Sequence, residues 1–262
     1  MKSVRFIFLA ILIVAAQNLR AARIHETVRK DISAAGIEKV SISSTNGTIV
    51  ITTWDKDSIS VVARKKVDGS GAKARALLQK IKIFADRQGN LLKIYAEVPK
   101  RQRHGFWNWL FGLGIKNYSV DWTIRIPASM PVSASSTNGD IELDVLKAPV
   151  EISTTNGGIN ALRIGGSSKI QSTNGDIHVF YKTMPKKGRI AITTTNGGIE
   201  LIVPGNASCA VSAYTTNGEI TCDLPDMQKT SSSGRSLETV VGDGAVKVDL
   251  ETTNGDISIR SK

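Results

Sequence analysis

Apolar and polar side chains alternate through most of the second half of the chain. Val150, Ile152 and Thr154 alternate with polar residues, and after a short turn Ile159 and Ala161 continue the alternation. A period of two is typical of a strand with one buried face. The same pattern returns around each later turn, so the sequence predicts pairs of short strands joined by tight corners.

A repeated tripeptide, Thr-Asn-Gly, marks these corners and is nearly always followed by one residue and then Ile. From Asn138 the spacings between markers are 18, 18, 22, 21 and 37 residues, and the doubled last interval indicates a coil without its marker. Periods near 20 residues are typical of solenoids, and Asn and Gly tolerate the positive φ of a tight corner. The seven marker residues are Asn46, Asn138, Asn156, Asn174, Asn196, Asn217 and Asn254.

We therefore predict an all-β fold, a right-handed parallel β-solenoid or β-helix with about 18–22 residues per coil. Stacking the coils about 4.8 Å apart would bury the Ile rows. The seven Asn side chains are expected to form a structural ladder along the corners. The Thr before each Asn, such as Thr155 and Thr173, is expected to form a parallel hydroxyl row.

The residue after each Gly alternates between an acid and Gly, beginning with Asp140, Gly158 and Asp176. A ladder of calcium ions requires carboxylates on neighbouring coils, which this alternation does not supply. We expect no metal and no cofactor.

The first half is less regular and is predicted to be a basic, β-rich part over residues 23–131. It contains one short helical run over 72–80 and two strands on either side of Gly89. The marker at Asn46 places a solenoid-like coil before these elements, so the part is a cap on the stack or an insertion. Residues 132–262 are predicted to be the repeat solenoid.

The first residues are predicted to be a secretory signal peptide over 1–22, cleaved near Ala16 or Ala22. Lys2 and Arg5 precede an apolar run over residues 6–16. A run of 11 residues is shorter than the roughly 20 that a membrane span needs, which makes a span the weaker alternative. The sequence thus predicts export to a periplasm or the cell envelope, where the protein is soluble or membrane-peripheral.

Charge differs between the two halves. The formal net charge is +11; residues 17–131 carry 20 basic and 9 acidic side chains, whereas residues 132–262 carry 12 and 14. An exported basic surface favours anionic lipid or glycan over nucleic acid as a partner, although a merely solvated basic surface is also consistent with the composition. No feature of the sequence indicates an oligomeric state.

Residues 99–117 break the local patterns, because cations lead into a cluster of aromatic side chains. Aromatic rings flanked by cations are typical of membrane-docking segments. Two alternatives stay open: the segment packs over the end of the solenoid as an apolar cap, or it binds a protein partner. The candidate contact residues are Lys100, Arg101, Arg103, Phe106, Trp107, Trp109 and Phe111.

Catalytic chemistry has little support. His178 lies between two inward residues and should face solvent, and none of the three histidines belongs to a nucleophile or metal motif. Cys209 and Cys222 flank the Asn217 corner on inward positions, so they form either a disulfide or two buried free thiols. We predict that the protein is not an enzyme.

The repeated Thr-Asn-Gly-Asp/Gly-Ile motif, the junction at Trp54 and Asp55, and a segment ending at Ile126 and Pro127 resemble the bacterial "putative adhesin" family of domains of unknown function. The resemblance covers residues 37–262. It implies an exported β-solenoid with an adhesive role and carries no catalytic residues to this sequence. We expect neither a sorting signal nor an autotransporter barrel after the repeats.

Together these features predict a non-catalytic, secreted or periplasmic binding or scaffold protein of the cell envelope. It is adhesin-like and docks on a membrane surface through residues 99–117; its partner is the envelope surface, an anionic lipid or glycan, or a protein. The alternative is a carbohydrate-active β-helix enzyme, a polysaccharide lyase or hydrolase, which would use outward carboxylates such as Glu142, Asp144 or Glu200.

Overall fold

The computed structural model describes residues 23–98 and 118–262. The predicted signal peptide and the aromatic segment over 99–117 lie outside the described residues. The elements, in chain order, are β1 (Arg23–Ser33), β2 (Lys39–Asn46), β3 (Ile49–Trp54), β4 (Ser58–Asp68), α1 (Gly71–Lys80), β5 (Lys82–Gln88), β6 (Leu91–Glu97), β7 (Tyr118–Pro127), β8 (Val132–Asn138), β9 (Ile141–Asp144), β10 (Val150–Asn156), β11 (Ile159–Ile164), β12 (Ser168–Asn174), β13 (Ile177–Tyr181), β14 (Gly188–Asn196), β15 (Ile199–Val203), β16 (Cys209–Asn217), β17 (Ile220–Asp223), β18 (Gln228–Ser233), β19 (Ser236–Val241), β20 (Val246–Asn254) and β21 (Ile257–Ser261).

Two sheets face each other across one core. Sheet A has 11 strands in the order β18-β19-β16-β20-β14-β12-β10-β8-β2-β6-β5, and sheet B has 10 in the order β1-β4-β7-β3-β9-β11-β13-β15-β21-β17. In each marked coil the strand before the Asn-Gly corner lies in sheet A and the strand after it lies in sheet B. Neighbouring coils pair in parallel, which confirms the predicted β-solenoid.

The core consists of rows of side chains that run from coil to coil. In sheet A, Ile152 pairs with Ile170, which pairs with Ile192, and each is at most 1% exposed. Ile159 and Ile177 form an equivalent row in sheet B. Burying one such side chain contributes about 1.5–3 kcal/mol, so the alternating positions of the sequence supply the apolar contacts that hold the coils together.

The order of the coils in space differs from their order in the chain. Strand β20 lies between β14 and β16, so the coil of Asn254 precedes the coil of Asn217 in the stack. The doubled interval between these two markers holds the antiparallel strands β18 and β19, and β19 pairs with the far edge of β16. The interpretation of this interval as an unmarked coil was therefore wrong. Because the two corners carry the same residues, spacing alone could not distinguish the two arrangements.

The N-terminal part, which we call the cap, extends both sheets at one end of the stack. Strands β2 and β3 form the first coil, with Asn46 beside Asn138 of the next coil. The chain between this first coil and the next one, from β3 to β8, forms β4, α1, β5, β6 and β7. Strand β6 extends sheet A beyond β2 and β7 extends sheet B beyond β3, while β5, β4 and β1 add antiparallel strands. Strands β1 and β5 are therefore the edges of the two sheets at this end of the stack.

A buried ion pair fixes the helix to the cap. The Nζ atom of Lys65 lies 2.9 Å from Oε1 of Glu26, and these side chains are 6% and 12% exposed. The same Nζ donates hydrogen bonds to the carbonyl oxygens of Leu78 and Ile81, at 3.3 and 3.2 Å. Carbonyls at a helix C-terminus lack intrahelical partners and favour a cation. Lys65 therefore anchors the end of α1 on sheet B.

Candidate functional site

The Asn side chains of the seven corners form a continuous ladder, which we call the Asn ladder. Each Nδ2 donates a hydrogen bond to the Oδ1 of the adjacent Asn, at distances of 2.7 to 2.9 Å. The bonds are cooperative in the sense that every interior amide both donates and accepts. In spatial order the ladder runs through Asn46, Asn138, Asn156, Asn174, Asn196, Asn254 and Asn217.

The Gly after each Asn is required by close contact between backbones. A Cβ on Gly175 would lie 2.0 Å from the carbonyl oxygen of Gly157 in the adjacent coil, and Gly175 has φ +153°. The amide of Gly175 donates to the carbonyl of Asn196 at 2.9 Å. Only a residue without Cβ lets neighbouring corners approach this closely.

A second ladder, which the sequence analysis missed, lies one residue before the predicted hydroxyl row. Thr154, Ser172 and Thr194 each donate a hydrogen bond to the carbonyl oxygen of a corner Gly in the adjacent coil, at 3.1 Å. These side chains are buried, whereas Thr155 and Thr173 of the predicted row are exposed. The alternation of apolar and polar residues had placed Thr154 on the inward face. This was the sequence signal from which the second ladder could have been predicted.

The acids after the corners bond to the next coil. Oδ1 of Asp140 accepts from the amide of Gly158, and Oδ1 of Asp176 accepts from the amide of Gly198, both at 2.8 Å. Each of these carboxylates therefore links its own coil to the next one. The alternation fails at the end of the stack, where Asp256 accepts from the amide of Glu219 at 2.9 Å and two acids are adjacent.

His178, Glu200 and Arg260 form a cluster of contacts on the outer surface of sheet B. His178 Nδ1 lies 3.0 Å from Glu200 Oε2, and Arg260 also contacts Glu200. The hydrogen bond from His178, followed by the charge of Arg260, lowers the pKa of the Glu200 carboxyl. Among residues 23–98 and 118–262 no three His, Cys, Asp or Glu side chains are grouped as a metal site would require.

A shallow cleft of about 240 Å³ lies at the N-terminal end, lined by Arg23, Lys66, Asp68, Tyr118 and Ser119. Its charges are neutralised locally, because Arg23 Nε lies 2.6 Å from Asp68 and Lys66 pairs with Asp121. The cleft therefore offers no carboxylate pair for glycoside chemistry.

Both cysteines are free thiols in the structure, and whether they form a disulfide in the protein stays a prediction to be tested. Cys209 is buried in β16, and Cys222 in β17 is partly buried with its Sγ 3.7 Å from Sδ of Met227. Burial raises the pKa of Cys209 to about 11 and also raises the pKa of Cys222.

We expect both thiols to resist alkylation in the native protein, because the thiolate is the nucleophile and a pKa of about 11 leaves roughly one Cys209 in a thousand ionised at pH 8. Iodoacetamide in denaturant without a reductant should then add two groups, detected by intact mass. If the denatured protein gains none until it is reduced, the cysteines form a disulfide instead.

The predicted contact residues between Lys100 and Phe111 lie outside the described residues, but the strands on either side of them are described. Strand β6 pairs with β2 up to Ser43 opposite Tyr95, and β7 pairs with β3 from Ile49 opposite Trp122. In the marked coils, the corresponding strand ends are joined by the Asn-Gly corner. The ends of the segment, at residues 98 and 118, therefore lie at the Asn46 end of the Asn ladder.

The family model that matches the chain is Toastrack DUF4097, over residues 128–260. The chain belongs to this family, which confirms the resemblance identified from its repeats. Among curated proteins, none matches the chain in sequence. Within residues 23–98 and 118–262, no helix has the length and apolar character needed to span a membrane.

Among solved structures, the chain is similar to a "putative cell adhesion protein" from Clostridium sporogenes, with 12% identity, 91% of this chain and 100% of that chain covered, and a TM-score of 0.48. It is also similar to a "putative adhesin" from Bacteroides fragilis, with 11% identity, coverage of 89% and 97%, and a TM-score of 0.35. A "putative lipid binding protein" from Parabacteroides distasonis has 11% identity, coverage of 89% and 96%, and a TM-score of 0.23.

Proposed function

We propose that the protein is an exported, non-catalytic binding or scaffold protein of the bacterial cell envelope, adhesin-like, that docks on an anionic membrane surface through residues 99–117. The observation that carries this proposal is the position of the two ends of that segment. Both ends lie at one end of a stack whose successive coils are joined by hydrogen-bonded Asn, Thr and Ser side chains. A stack of seven marked coils is about 29 Å long, so it would hold its far end well away from the surface.

The charge of the described cap supports docking at this end. Residues 23–98 carry 14 basic and 8 acidic side chains, and the adjoining segment adds Lys100, Arg101 and Arg103. Each Lys or Arg near an anionic bilayer contributes about 1 kcal/mol of attraction, which falls off within a Debye length. The cap and the segment therefore favour the same partner.

The outer faces of the stack support binding over catalysis. The central outward row of sheet A consists of Ser135, Ser153, Gln171 and Thr193, directly beside one another in register. Small polar side chains on a flat sheet can contact glycans, but they provide neither a cleft nor an acid–base pair. Export follows from the predicted signal peptide and agrees with the adhesive role that the family resemblance implies.

Sedimentation with lipid vesicles tests the proposal. The purified protein should bind vesicles that contain phosphatidylglycerol at low ionic strength, bind neutral phosphatidylcholine vesicles weakly, and bind less at physiological salt. Replacing Trp107 and Trp109 by Ser should weaken binding to the anionic vesicles about tenfold or more, since interfacial Trp anchors such segments.

Tyr214→Ser is the matched control, because Tyr214 is an aromatic residue on the outer face of sheet A that is 50% exposed. It should bind vesicles as the wild type does. If the double Trp variant binds normally but melts at a much lower temperature, the segment is part of the core and the proposal is wrong.

A further inference from the structure

The corner at the end of the Asn ladder opposite the cap differs from the other six in one backbone contact. In those six corners, the amide of the Gly donates a hydrogen bond to the carbonyl oxygen of the Asn in the next coil, at 2.9 to 3.0 Å. Gly255 donates in this way to Asn217. All six bonds point away from the cap, so the corner of Asn217 and Gly218 has no later marked coil to bond to.

The hairpin of β18 and β19 replaces a further coil only in part. The carbonyl oxygen of Arg235 accepts a hydrogen bond from the amide of Thr215 at 3.0 Å. The carbonyl oxygen of Gly234 accepts one from the amide of Ile220 at 3.2 Å. Within residues 23–98 and 118–262, no group accepts a hydrogen bond from the amide of Gly218. The backbone is therefore held on both sides of this corner but not at its Gly.

The side chain of Asn217 is held on one side only. Its Nδ2 donates to Oδ1 of Asn254 at 2.9 Å. Across the part of the chain that the structure describes, no donor bonds to the Oδ1 of Asn217, whereas every other Oδ1 of the ladder accepts from the next Asn. Asn217 is exposed and Gly218 is partly exposed, so water reaches this corner.

Asn followed by Gly is chemically reactive, because the backbone nitrogen of the Gly can attack the side-chain amide and no Cβ on the Gly hinders the approach. The nitrogen loses its proton and bonds to Cγ of the Asn, the bond between Cγ and Nδ2 breaks, and ammonia leaves with that proton. One water molecule then opens the cyclic imide. Opening at Cγ gives Asp, and opening at the main-chain carbonyl carbon gives isoaspartate.

We propose that Asn217 is a site of spontaneous deamidation in the folded protein, with water as the co-reactant, and that the ladder protects the other six Asn-Gly corners. The reaction needs a Gly nitrogen that is free to attack and an Asn side chain that can turn towards it. In the other corners, the Gly amide and the Asn Oδ1 are both hydrogen-bonded to the next coil. At least these two bonds must break before the reaction can begin, which requires local opening of the stack.

Asn46, at the cap end of the ladder, separates this explanation from simple exposure of an end. The Nδ2 of Asn46 donates to no other Asn of the ladder, so this side chain is also terminal. The amide of Gly47, however, donates to the carbonyl of Asn138 at 3.0 Å. The attacking nitrogen is therefore held at Asn46 and free at Asn217, and only Asn217 should react in the native protein.

The product is expected to loosen the last coil. A carboxylate at position 217 cannot donate to Oδ1 of Asn254, and the acids Glu219 and Asp256 are already adjacent at this corner. Isoaspartate also adds a carbon to the main chain between β16 and β17, which would shift Ile220 from its partner Ile257. Hydrogen exchange in β17 should rise as the protein ages.

Peptide mapping of aged protein tests the proposal. The native protein is incubated at mildly alkaline pH and physiological temperature, then digested at acidic pH, and each corner peptide is analysed by mass spectrometry for the gain of about 1 Da that replacement of NH₂ by OH produces. The peptide with Asn217 should deamidate at least about tenfold faster than each of the other six, because their reaction requires local opening. In denaturant, all seven peptides should react at similar rates.

Asn217→Asp is the control, because it has no side-chain amide at this position and its peptide should gain no mass. The same variant imitates one product and should show faster hydrogen exchange in β17. The proposal is overturned if Asn217 reacts no faster than Asn46 in the native protein, if all seven corners react together, or if none reacts while the denatured chain does. The decisive comparison uses the wild-type protein, so it depends neither on a variant that folds nor on residues 99–117.

Discussion

The Gly175→Ala variant is expected to lose about 3 kcal/mol or more of the free energy of unfolding. The new Cβ would lie 2.0 Å from the carbonyl oxygen of Gly157 and 2.5 Å from its carbon. Both atoms belong to the backbone, so no rotamer change can relieve the contact. The coils would have to separate at this corner, which would weaken the bonds of Asn174 to Asn156 and Asn196 as well.

Urea unfolding followed by circular dichroism measures this loss. Gly234→Ala is the matched control, because a Cβ at Gly234, between β18 and β19, would have no heavy atom within 4 Å. Its free energy of unfolding should change by less than about 0.5 kcal/mol. Equal stability of the two variants would contradict the close approach of the corners.

The Lys65→Met variant is expected to lose about 3 kcal/mol, since breaking a buried ion pair leaves the remaining charge uncompensated. Glu26 is 12% exposed and would keep its carboxylate without the cation 2.9 Å away. The carbonyls of Leu78 and Ile81 at the end of α1 would lose the same donor. Thermal unfolding of the purified variant measures the effect.

A second substitution distinguishes a lost charge partner from poor packing. Adding Glu26→Leu to Lys65→Met removes the uncompensated carboxylate and should recover much of the lost stability, because an apolar pair often replaces a buried ion pair without cost. Arg23→Met breaks an exposed pair with Asp68 on the same two strands and should cost less than about 1 kcal/mol. A double variant as unstable as Lys65→Met would contradict this explanation.

The corners of the fold could be predicted because one chemical requirement recurs in each coil. Asn174 and Gly175 must bond and approach their neighbours in the same way as Asn156 and Gly157, so the tripeptide repeats visibly. The alternating positions then fix which side chains are buried. Local pattern and stacking give the same prediction here, which is why the class of fold follows from the sequence.

The order of the coils could not be predicted in the same way. Asn217 and Asn254 occupy equivalent corners, and either could follow Asn196 in the stack. The order of these two coils depends on the antiparallel pairing of β19 with β16, and the sequence of β19 carries no marker. The adjacency of Asp256 and Glu219 was missed for the same reason.

The candidate site was only partly accessible from the sequence. Composition identified the aromatic and basic segment over 99–117, but the position of the flanking residues 98 and 118 at the Asn46 end of the ladder depends on the register of β6 with β2 and of β7 with β3.

Quenching of tryptophan fluorescence by brominated lipids tests membrane docking most directly. The account predicts that vesicles of phosphatidylglycerol with bromine in the acyl chains quench the wild-type protein and that the loss of signal is much smaller in the variant with Trp107 and Trp109 replaced by Ser. Trp122 is fully buried and Trp54 lies in β3 of the described sheet, so both report the remaining signal in each protein. Equal quenching of the two proteins, or none in the wild type under conditions where it sediments with the vesicles, would contradict insertion of this segment.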